Sequence, residues 1–101
     1  MVELVSQAQQ VYELGPGISP PVVVKAVYPT TTKSAIAIIV TMACVVGLDG
    51  KAGQIKILTS PDKTLNQSAI EALRHWVFKP GTKDGTPVLV RVKIQMWFMQ
   101  G

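Results

Sequence analysis

Chemistry-bearing residues are scarce in this chain. It has one histidine, His75, and one cysteine, Cys44. A lone cysteine cannot close an intramolecular disulfide, and one thiol with one imidazole falls short of the three or four ligands a structural metal asks for. Cys44 stands in an apolar run, where it reads as a small buried hydrophobe. Nucleophilic catalysis needs a nucleophile, a base and an orienting group within reach, and the sequence offers no such set, so no catalytic residue and no cofactor are expected. His75 follows Glu71 at helical i+4 spacing, as a solvent-facing helix residue would. The glycines Gly47, Gly50 and Gly53 lie between two strand-like stretches, with no helix start to hold a phosphate.

Charge is sparse too. Charged residues make up 16% of the chain, and its net charge of +4 is dispersed with no basic run. Without stacking aromatics or a recognition-helix pattern, nucleic acid is not an expected partner. The uncharged stretch Ala35 to Leu48 is shorter than the ~20 residues that a membrane helix needs, and its β-branched content favours a buried strand. Met1 to Gln10 mixes Glu3, Ser6 and several glutamines into its apolar residues and has no basic start, so it does not read as a secretion signal. The chain expressed alone is expected to stay in the cytoplasm.

What the sequence does have is a core. Apolar residues make up 48% of its 101 residues, a balance that suits one packed domain. Gly15, Pro16, Gly17, Pro20 and Pro21 interrupt regular structure early, so residues 1–18 are read as a tether and 19–101 as the domain. Val22 to Val27 suits an extended segment, ended by Tyr28-Pro29, and Thr30 to Ser34 suits a turn or a single helical turn. Ile36 to Val46 has the length and composition of a strand. Asp49-Gly50 then supplies a tight turn into a second strand, Gln54 to Thr59. Thr64-Leu65-Asn66-Gln67 has the form of a capping box. Behind it Leu65, Ala69, Ile70, Leu73, Trp76 and Val77 recur at helical spacing until Pro80-Gly81 forbids continuation. After Asp84-Gly85, the stretch Val88 to Met99 alternates strictly, as a half-buried strand does.

The stretch Leu65 to Gly81, LNQSAIEALRHWVFKPG, resembles the TonB C-terminal family, in which a helix ending in an Ala-Leu-basic-x-Trp pattern runs into an aromatic-x-Pro-Gly turn. Pro20-Pro21, Tyr28-Pro29, Asp49-Gly50-Lys51, the IKILTS strand and Gly85-Thr86-Pro87-Val88 stand around it in family order. The similarity covers roughly Gly17 to Phe98. It implies an α+β fold, a three-stranded antiparallel sheet packed against one or two helices. One departure is that the family's charged, Ala-rich first helix is replaced by a Thr-rich segment after Tyr28-Pro29, which implies an altered first helix and an altered groove beside Tyr28.

The resemblance also implies a role. Members are periplasmic ends of energy transducers anchored to the inner membrane, joined by a Pro-rich linker to a proton-driven motor. They grip the TonB-box peptide of outer-membrane transporters by strand addition to the final strand. Carried onto this sequence, Val90, Val92, Ile94 and Met96 would anchor that strand in the core, with Arg91, Lys93 and Gln95 nearer the peptide and Tyr28 beside the groove. Trp97, on the polar-alternating face, would cover the sheet or contact a partner or a second copy. Two alternatives stand beside this: a module that self-associates as a homodimer through the same edge or by exchanging strands, and a regulatory tail of a larger membrane protein.

Overall fold

The computed structural model describes residues 10–28 and 36–100. The chain opens with three short strands, β1 (Val11–Glu13), β2 (Ile18–Ser19) and β3 (Val22–Lys25). Two long ones follow, β4 (Ile36–Val46) and β5 (Ala52–Thr59). A 3-10 turn, Lys63–Leu65, leads into helix α1 (Asn66–Arg74). The chain then forms β6 (Val77–Lys79), β7 (Thr82–Lys83), β8 (Thr86–Pro87) and the long β9 (Leu89–Gln100). The fold is α+β, with α1 its one α-helix among the described residues. The main sheet has four strands in the order β1-β9-β4-β5, and two smaller sheets pair β2-β7-β8 and β3-β6.

Period-two patterning explains how the sheet sorts its side chains. Along β4, Val40, Met42, Cys44 and Val46 are fully or almost fully buried on one face. The register with β9 sets Met96, Ile94, Val92 and Val90 opposite them. Ala69, Ala72 and Leu73 of α1 complete this core with Trp76 and Phe78. The two alanines let the helix lie close to the sheet, and each fully buried Leu, Val, Met or Phe contributes about 1.5–3 kcal/mol. Trp76 ties the layers together. Its Nε1 donates to the Val27 carbonyl at 2.6 Å, and its ring meets Tyr28 edge-on at 5.8 Å and lies 6.0 Å from Phe78.

Turn chemistry fixes the hairpins. Gly50 adopts φ +80° between β4 and β5, and a Cβ there would overlap the Phe78 carbonyl oxygen. The Phe78 N–H donates to the Gly50 carbonyl at 2.8 Å. Glycine is therefore required twice over, by conformation and by close approach of β6. Asp84 and Gly85 both take positive φ between β7 and β8, as a two-residue hairpin turn demands.

Three sequence expectations need correction. The main sheet is four-stranded and mixed: β9, β4 and β5 run antiparallel, and β1 is added parallel to β9. The added strand comes from within the stretch expected to be a tether, because Val11 and Tyr12 bury apolar surface against the margin of β9. The capping box is also replaced. Asp62 Oδ1 accepts from the Thr64 N–H at 3.0 Å and from its hydroxyl at 2.6 Å, which makes Asp62 the cap of the 3-10 turn. Leu65 precedes α1 with no side-chain cap bond. Gln67 turns to Glu71 instead, at 3.1 Å. The turn expected at Thr30 to Ser34, and with it the altered first helix, lies outside the described residues.

Candidate functional site

A β-sheet ends in two strands whose outward N–H and C=O groups lack partners, and those rows can take up another chain. Here the margins are β5 on one side and, beyond the short β1, β9 on the other. Their regularity differs. β4 and β9 pair through eleven successive positions, from Ile36 opposite Gln100 to Val46 opposite Val90, without a slip. β4 and β5 slip twice, between Thr41 and Met42 and between Ala43 and Val45. Both extra residues fall on β5, and one of the bulges contains Gln54 at φ +49°.

Only part of the β9 margin is free. Val11, Tyr12 and Glu13 pair in parallel with Leu89, Val90 and Arg91. The expectation of a wholly unpaired margin is thereby corrected. From Val92 to Gln100, β9 has no second neighbour among the described residues. The covered end is sealed lightly. The Arg91 guanidinium donates to the Glu13 carboxylate, with both side chains about half exposed or more, and the Lys83 ammonium sits 5.0 Å from the centre of the Tyr12 ring.

The expected site residues divide by face. Val90 is fully buried, opposite Val46, and Val92 and Ile94 are half-buried against the core. Arg91, Lys93, Gln95 and Trp97 are exposed on the other face. Trp97, 53% exposed, lies opposite Ile39. Lys93 and Lys56 both pair with Ala43 from opposite sides, so two ammonium groups flank one small residue across the sheet. An open groove of about 910 Å³ touches Arg91, Lys93 and Lys56, and Glu13 is the one carboxylate among its lining residues. The field there is positive and suits an acidic or neutral strand.

Tyr28 does not join this strip. It packs against Trp76 and is 62% exposed. Tyr12 and Glu13 do join it, although neither was expected to. The signal available for them was slight, an apolar-aromatic pair between Gln10 and Gly15.

Other chemistry is thin around the strip. Burial holds the Cys44 thiol up at about 11, so it stays protonated and unreactive at neutral pH. Among the described residues, no three His, Cys, Asp or Glu side chains gather as a metal would require. No helix among the described residues is long and apolar enough to cross a membrane.

Comparison with known proteins agrees with this architecture. The model of the Gram-negative bacterial TonB protein C-terminal family matches residues 25–99. The chain is 41% identical over 54 residues to Protein TonB of Vibrio cholerae serotype O1, an alignment that covers 50% of this chain and 22% of that protein. The chain thus spans under a quarter of that relative's length. With the helix, the hairpin and all but the last residue of the final strand inside the matched region, the chain belongs to the TonB C-terminal family.

Proposed function

We propose that this chain is the periplasmic, peptide-binding end of a TonB-type energy transducer. In this reading it takes the TonB-box peptide of an outer-membrane transporter as an added strand on β9 and passes on force drawn from the proton-motive force. The observation that carries the reading is the margin from Val92 to Gln100, paired with β4 without a bulge and without a second neighbour among the described residues. Strand addition draws its affinity from backbone hydrogen bonds, so it asks for no catalytic constellation. Several such bonds loaded in parallel also suit a grip that must bear a pull.

Each side chain then has a role. Val90, Val92 and Ile94 hold β9 against the core, so that load on the margin is carried into the sheet. Arg91, Lys93 and Gln95 face the incoming strand from the outer side, and Trp97 offers it apolar contact near its end. Tyr28 acts through Trp76, at the end of α1. A membrane anchor and a proton-driven inner-membrane motor would belong to the longer protein of which this is one domain.

A titration tests the reading. A synthetic TonB-box peptide should bind the monomeric protein, and the same peptide N-methylated at alternate residues should bind at least roughly ten-fold more weakly because backbone donors are lost. Equal affinity of the two peptides would contradict strand addition. Exposed Trp97 beside an open margin favours one rival, pairing of two copies through β9. An obligate dimer that ignores the peptide would select that rival.

A further inference from the structure

The structure already contains one strand added to β9, and it comes from the same chain. β1 is three residues long and runs parallel to Leu89–Arg91. Resting on the docking role proposed above, we propose that β1 is a competitor in cis. It occupies the first part of the docking margin when no partner is bound, and it gives way to a partner peptide that pairs with β9 from Leu89 onward.

The hold on β1 is weak by every measure the geometry offers. Val11 and Tyr12 are only half-buried and Glu13 is exposed. The Glu13–Arg91 pair is open to water at both ends, where such pairs contribute little. Among the described residues, three backbone pairings and one Lys83–Tyr12 contact complete the attachment. Segments with few buried contacts open first.

The surroundings suit reversible release. Immediately after β1 the chain turns, with Gly17 at φ +83° and the Ile18 N–H donating to the Gly15 carbonyl at 3.1 Å. β2 then pairs with β7. A hinge at Leu14 to Gly17 would free β1 while leaving β2 and the core in place. Being tethered there, β1 has a high effective concentration at the margin, so it can shield backbone groups without strong contacts. Its cost to a partner follows from occupancy: the apparent affinity falls by the fraction of molecules whose margin is open.

The test uses the whole chain and a synthetic TonB-box peptide of an outer-membrane transporter. Cross-strand nuclear Overhauser contacts between Val11–Glu13 and Leu89–Arg91 are followed during titration, and peptide affinity is compared with that of Tyr12→Gly, which loosens β1 without changing charge. The expected result is loss of those contacts in step with saturation and about five-fold tighter binding by the variant, given the usual size of a cation–π contact plus lost burial. If the contacts persist at saturation while Val92–Gln100 amides shift, β1 is a fixed strand and the inference falls, with the docking role intact. Unchanged affinity in the variant overturns it as well. If no β9 amide responds in either protein, the docking role fails and the inference with it.

Discussion

The two margins of the main sheet are built from similar material but to different plans. β5 carries alternating Ile55, Lys56 and Ile57, and β9 carries alternating Val92, Lys93 and Ile94. Yet β5 is bulged twice and β9 not at all along β4. A bulge twists a strand and leaves a residue out of register, which spoils a template for strand addition. One margin is thus protected by its own irregularity. The other is regular and, among the described residues, is covered only by the three-residue β1. Similar side-chain alternation thus accompanies both a bulged and a regular edge, and backbone regularity is what sets how well an edge can template an added strand.

The largest effect is expected where both margins share support. Trp76→Ala removes a buried ring and its hydrogen bond to Val27, and should cost about 3–5 kcal/mol in urea unfolding. Amide protection should fall on β5 and β9 together. If only one margin loosened, Trp76 would not be their common prop.

Gly50→Ala should separate them. A left-handed alanine costs roughly 1–2 kcal/mol. The overlap with the Phe78 carbonyl adds enough to bring the total to about 3 kcal/mol. Hydrogen exchange should rise in β5 and β6 well before it rises in β9. Uniform loosening would mean that the hairpin and the β9 margin unfold as one unit.

A smaller, pH-dependent effect belongs to the exit from β5. Hydrogen bonds from the Thr64 hydroxyl and N–H hold the Asp62 carboxyl below its usual value of 3.8. Its folded pKa is depressed, so its stabilising contribution is complete above the unfolded value and is lost as pH falls through the folded one. The melting-temperature difference between wild type and Asp62→Ala should therefore be constant near neutrality and shrink below about pH 4. A difference that stayed flat down to pH 2.5 would remove the carboxylate from the account.

How much of this was legible in the sequence depended on length and locality. β4 was read to its ends, because eleven apolar or small residues between a polar segment and Gly47 admit little else. β9 was read to within a residue from its strict alternation. α1 was visible in the spacing of Ala69, Leu73 and Trp76, but its start was not. Asp62 competed with Thr64 for the same turn and won by accepting two bonds. β6, β7 and β8 are two or three residues each, too short for a period to show. β1 was hidden for a different reason. Its strand character depends on a parallel partner at Leu89–Arg91, far along the chain, and local pattern carries no trace of a pairing so remote. The alternation of β9 is therefore visible in the sequence, whereas its pairing with Val11 to Glu13 and the packing of Tyr28 on Trp76 are not.

The most direct measurement of the central claim is residue-by-residue amide exchange with and without a saturating TonB-box peptide. New protection is expected along β9 from Val92 to Met99 and none along β5 from Ala52 to Thr59. Protection on β5, or equal protection on both strands, would contradict it.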